Sequence, residues 1–235
     1  MYDEWKNFFN LNFKHNYLFH SIKQDGYFPY LSENAKGCAI KDLKEFYHIY
    51  DWGRYPSEIS NKTNELINEF KIMAKKLLFE IEVNTPSKIK DNFSIPLDQM
   101  IQRSQENLLR IIHYPPLLGN EDSEAIRAAA HEDINLITLL LSGTQPGLQV
   151  KTKENKWLDV ESDQGWLIIN IGDMLQECSN GYYPSTTHRV INPQGKNVSR
   201  YSMPFFVHAR DEVVLSDKHT AKSYLEERLK EIGLK

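Results

Sequence analysis

The stretch HEDINLITLL, residues 131–140, sets a histidine and two acids directly before an almost wholly apolar run. A buried carboxylate without a partner is unfavourable, so acids at the mouth of a buried segment need an explanation. A metal ion would supply one. Read as a strand, the segment projects positions i and i+2 from one face, which pairs His131 with Asp133 and turns Glu132 away. On a helix the pair would diverge. The apolar, β-rich character of the following run favours the strand.

Two ligands make a weak clamp, so a third has to come from elsewhere. Among the other histidines His188 stands out, because it opens a β-type run, HRVI, after the small-residue stretch PSTT. His15, His20 and His48 fall in a helical half where surface or core roles suffice, and His219 suits a solvated place at the start of the last helix. Position alone does not settle His113 and His208. Two imidazoles and one carboxylate suit Fe(II), with facing positions left open for substrate and oxygen. Spacing by itself leaves this reading level with a His-Glu-Asp cluster capping a turn, since an isolated H-x-D is common by chance.

The surrounding pattern divides into two halves. Residues 3–22 are aromatic-rich and read as helix. Residues 26–56, with Gly26, Pro29, Gly37, Gly53 and Pro56, read as mostly irregular. Ser57 is a candidate N-cap for a helix whose apolar stripe runs through Leu66, Ile67, Phe70, Met73, Ala74, Leu77, Leu78 and Ile81 to about Val83, where Thr85-Pro86 closes it. From about residue 106 short β-type runs take over: 108–114, 136–141, 147–150, 165–171, 188–191 and 200–207, separated by turn-rich segments. Many short strands at such spacing indicate a sandwich or barrel. A closing helix is expected over 219–232. The expected layout is one domain over 1–235, with a helical support region (1–105), a β core (106–210) and that final helix.

Composition narrows the function classes. With 28 basic and 32 acidic side chains the net charge is −4, and no basic stripe suggests a nucleic-acid partner. No stretch approaches the roughly 18 apolar residues of a membrane span, and the charged start lacks the core of a signal peptide. Two distant cysteines, Cys38 and Cys178, make no disulfide framework. The expectation is a cytoplasmic monomer acting on a small molecule.

Several motifs now occur in one order: HEDINLITLL, GLQV, GWLIINIGDMLQECSNGYYPSTTHRVINP and SRYSMPFF. Together they resemble the isopenicillin N synthase-like group of Fe(II)/2-oxoglutarate-dependent oxygenases. The resemblance implies a double-stranded β-helix (jelly roll) core, mainly β with flanking helices. It implies iron bound by His131, Asp133 and His188, the last 57 residues after the first (188 − 131). The R-x-S pair Arg200 and Ser202 would hold the far carboxylate of 2-oxoglutarate, helped by Tyr114 from LRIIHYPP. Without the resemblance, Arg200 would pass for a surface strand charge. Within NIGDM, Gly172 and Asp173 look structural, as a tight strand exit and a turn or cap acceptor. Asn180-Gly181 fits a positive-φ turn.

The implied reaction uses Fe(II), 2-oxoglutarate and O2, with ascorbate as a stimulant. It oxidises an unactivated C–H bond of a small molecule by hydroxylation, desaturation or cyclisation, and yields succinate and CO2. Tyr30, Leu148 and Phe206 are candidate pocket walls. Two departures from the family stand out: a shorter N-terminal region, and Ile112 where plant-type members often carry asparagine. Three alternatives stay open: an oxidase of the same family that needs no 2-oxoglutarate, a non-catalytic jelly-roll binding protein, and a zinc hydrolase, since these ligands also accept Zn(II).

Overall fold

Strand alternation organises the molecule. In the computed structural model, which describes residues 1–34, 39–161 and 165–231, ten strands form two antiparallel sheets. The larger has the order β1-β2-β3-β10-β5-β8, and the smaller β4-β9-β6-β7. Its strands are β1 (Gly26–Phe28), β2 (Glu45–Ile49), β3 (Leu108–Tyr114), β5 (Ile137–Leu141), β8 (Leu167–Ile171) and β10 (Arg200–Val207). Those of the smaller sheet are β4 (Ala128–His131), β6 (Leu148–Lys151), β7 (Trp157–Asp159) and β9 (His188–Val190). This is the expected jelly-roll core.

Each strand of the large sheet sends alternate residues to opposite sides. On β10, Tyr201, Met203, Phe205 and Val207 join one apolar cluster, as do Leu109 and Ile111 of β3. That cluster takes its other half from helices: Trp5 and Phe8 of α1 (Tyr2–Asn10), and Ile67, Phe70, Ala74 and Leu78 of α2 (Lys62–Val83). The residues of intervening parity, Phe46 on β2 and Ile112 and Tyr114 on β3, meet Ala128, Leu148 and Val190 of the small sheet in a second cluster between the sheets. Each fully buried apolar side chain of this size stabilises the fold by roughly 1.5–3 kcal/mol. The second cluster and the space beside it are where polar side chains can be enclosed.

Several expectations change. Residues 26–56 are not simply irregular, because β1 and β2 extend the large sheet from within them. The run EFYHI carries the β-rich signal that the surrounding glycines and prolines obscured. Helix α1 ends at Asn10, where Leu11 turns extended, and a 3-10 turn (Asn12–Tyr17) follows. Helix α2 starts after Asn61 and not after Ser57, whose N–H instead donates to Tyr17 Oη at 3.2 Å. Two one-turn helices, α3 (Ser87–Lys90) and α4 (Leu97–Met100), link α2 to β3. Strands β4 and β7 lay outside the apolar runs because AAAH is built of small residues and WLD is only three residues long. Asp173 opens α5 (Asp173–Cys178) but makes no capping bond. Asn180 and Gly181 do take positive φ, 51° and 79°. The last helix, α6, spans Ala221–Glu231, and Thr220 accepts from Ser223 N–H at its start. Cys38 and the expected end of that helix at 232 lie outside the described residues.

Gly172 joins β8 to α5 against the segment that carries Asp133. A Cβ there would come within 2.3 Å of Asn135 O and Oδ1. Gly172→Ala should therefore lower stability by about 1–3 kcal/mol, read as a drop in the denaturant midpoint at unchanged slope.

Candidate metal centre

His131 is the last residue of β4 and pairs directly with His188, the first of β9. Their rings lie 4.3 Å apart between centroids. Beyond His131 the chain leaves the small sheet and crosses to β5 of the large one. Asp133 sits in that crossover, so the strand argument for pairing it with His131 does not describe its backbone. The two converge because the crossover turns back, fixed where Asp173 N–H donates to Asp133 O (2.8 Å). Glu132 is turned away and accepts from Thr187 Oγ1 at 2.6 Å.

The three side chains form a compact set. One ligand atom from each of His131, Asp133 and His188 lies within 4.8 Å of the others, and this is a group that could hold a metal ion. His188 Nε2 stands 3.7 Å from Asp133 Oδ1. Both imidazoles meet a backbone carbonyl through Nδ1, His131 to Ala129 O (2.8 Å) and His188 to Thr186 O (2.9 Å). This assigns the proton to Nδ1 and leaves Nε2 as the free donor atom, an orientation typical of metal-binding histidines. Burial, reinforced by nearby His188, pushes His131 down to about 4, so it is neutral at neutral pH. Burial would raise Asp133, but His188, His131 and hydrogen bonds from Thr138 Oγ1 (2.6 Å) and Asn170 Nδ2 (3.1 Å) outweigh it and hold the carboxyl below its usual range. Two neutral nitrogens and one anionic oxygen at this spacing fit a divalent iron.

The other residues named by sequence fall farther along the same interior. Arg200 opens β10 opposite Tyr114, and its Cζ lies 5.3 Å from that ring's centroid. It is only 2% exposed, and Nε donates to Gln145 O at 3.0 Å while Nη1 has no partner. Gly143 makes the room, since a Cβ there would come within 2.6 Å of Nη2. Ser202 follows on the same side of β10 and is also buried. A buried guanidinium with an unpartnered N–H fits a carboxylate.

Beside this group of side chains opens a cavity of about 640 Å³ bordered by His131, Asp133, Ile134, Phe206, and Leu225 and Leu229 of α6. Phe206 is thus a wall as expected; Tyr30 and Leu148 are not among its lining residues. Its lining also includes a charged network that the sequence reading missed. Arg110 donates through both Nη atoms to Glu33 (3.1 and 3.2 Å), and Lys44 bridges Glu33 and Asp42 at 2.7 Å each. Arg110 Nε also donates to His48 Nε2 (2.8 Å), and His48 Nδ1 meets Gln24 O. Burial and the Arg110 charge keep His48 well below its ordinary value, which matches this neutral tautomer. His48 is therefore neither a surface nor a simple core residue. His113, by contrast, faces the helix-side layer, hydrogen-bonded to Glu45 (2.7 Å) and stacked on Tyr201. His208 lines the cavity, and burial pushes it down to about 4.

Comparison with known proteins agrees with this architecture. The sequence profile of the 2OG-Fe(II) oxygenase superfamily matches residues 105–209. A solved structure from Shewanella oneidensis, assigned as an oxygenase, is 52% identical, with a TM-score of 0.87 over 99% of this chain and 84% of that one. A Caulobacter crescentus protein assigned to the 2OG-Fe(II) oxygenase family is 33% identical, with a TM-score of 0.78 over 98% of this chain and 84% of its own. Gibberellin 2-beta-dioxygenase 3 of Arabidopsis thaliana is 30% identical over 184 residues, 77% of this chain and 51% of that protein. The chain spans about half or less of the curated relatives it matches. Across sequence, fold and ligand set, the chain belongs to the 2OG-Fe(II) oxygenase superfamily.

Proposed function

We propose that the chain is an Fe(II)- and 2-oxoglutarate-dependent oxygenase, similar to isopenicillin N synthase, that oxidises an unactivated C–H bond of a small polar molecule. The observation that carries this reading is the compact set of His131, buried Asp133 and His188 beside the cavity. Bound iron, 2-oxoglutarate and O2 would supply an oxidant for that bond, with succinate and CO2 as by-products. Two neutral imidazoles and one carboxylate leave one positive charge on a divalent ion, which suits an anionic keto acid. Arg200, with Tyr114 and Ser202, receives the carboxylate at that molecule's far end.

Substrate would occupy the cavity. Arg110, Lys44 and His48 sit in fixed positions there because Glu33, Asp42 and the Gln24 carbonyl already hold them. Such a pre-oriented polar wall favours a molecule with hydrogen-bonding groups over a wholly apolar one. Phe206, Ile134 and Leu225 add apolar surface to the same cavity.

His188→Ala should abolish 2-oxoglutarate-dependent succinate formation while thermal unfolding stays cooperative; undiminished succinate would refute the ligand assignment. Arg200→Ala removes a charge-assisted pair worth about 1.5–3 kcal/mol and should raise the 2-oxoglutarate KM roughly 10- to 100-fold. Thr138→Val removes the 2.6 Å bond to Asp133 and should weaken Fe(II) or Mn(II) binding about 10- to 100-fold in a calorimetric titration.

A further inference from the structure

A second buried arginine lies close to Arg200. Arg127 precedes β4 and is 1% exposed. Its Nη2 donates to Val198 O at 2.7 Å, two residues before Arg200, and its Nε has no partner. Among the described residues neither Arg127 nor Arg200 forms an ion pair with any acid, although nearly every other enclosed cation here does. Burial works against both charges, and for Arg127 so does the neighbouring Arg200 cation. Tyr114 stands within electrostatic reach of the two. A pair of like charges, enclosed and without an acid, is a poor structural device. It is a good receptor for an anion.

The position limits which anion. Arg127 and His131 flank the same short strand, at most about 13 Å apart along it. An arginine side chain and a five-carbon chain held at the metal set are together long enough to span that distance. We propose that Arg127 is a second guanidinium of the keto-acid site, acting with Arg200 on the carboxylate farthest from His131, Asp133 and His188. The inference rests on the oxygenase reading and adds to it a selectivity element: two cations favour a dicarboxylate over a keto acid lacking the distal charge. The sequence reading passed over Arg127, since IRAAAH carries no motif that marks it.

The test is calorimetric titration of the Mn(II)-loaded protein, under anaerobic conditions, with 2-oxoglutarate and with 2-oxobutyrate, which has the same chelating end but no distal carboxylate. Arg127→Gln should weaken 2-oxoglutarate binding at least tenfold and change 2-oxobutyrate binding less than twofold. Equal losses for both ligands, or no loss for either, would overturn the role of Arg127 alone. If the glutamine variant does not fold, Arg127→Lys decides: the inference expects 2-oxoglutarate at least threefold weaker with 2-oxobutyrate unchanged, and parallel changes contradict it. Wild-type protein that binds neither keto acid would overturn the oxygenase reading, and the inference with it.

Discussion

Asp133 is a carboxylate with 6% exposure, and the arrangement around it depends on keeping it charged there. Thr138 on β5 and Asn170 on β8 donate to it from the inner face of the large sheet, while His131 and His188 approach from the small sheet. The set therefore exists only where the sheets close on one another. The crossover from His131 to β5 is the covalent link that brings the two sources together. Gly172 lets α5 pack against that crossover without a side chain in the way.

The alternation of the large sheet then separates support from chemistry. Outward residues of β2, β3 and β10 pack on α1 and α2 in an apolar layer. Inward residues of the same strands include His48, Arg110, Tyr114, Arg200 and Phe206, and these furnish the cavity and the interior beyond it. Two groups of cations result, with different partners. Arg110 and Lys44 are neutralised by Glu33 and Asp42, which makes them a fixed wall. Arg200 and Arg127 lack such acids among the described residues, which makes them receptive to an anion.

The legible parts of the sequence were those governed by local rules. Strands β3 and β10 matched their apolar runs residue for residue, and α2 ended where Thr85-Pro86 closes it. The i, i+2 strand rule pairs His131 with Asp133, yet β4 stops at His131, and Asp133 lies in an irregular crossover that periodicity does not describe. Residues 26–56 hid two strands because glycines and prolines masked a five-residue run. The network of Glu33, Asp42, Lys44, His48 and Arg110 was out of reach for another reason. Arg110 joins the others through the long-range pairing of β2 with β3, where His48 comes opposite Arg110. Thr138 and Asn170 likewise look ordinary until β5 and β8 align them on Asp133.

The most direct measurement is a crystal structure of the chain grown anaerobically with Mn(II) and 2-oxoglutarate. The account predicts one metal ion bonded to His131, Asp133 and His188, with the distal carboxylate of the keto acid against Arg200. A metal bound elsewhere, or a keto acid whose distal carboxylate faces Lys44 and Arg110 instead, would contradict it.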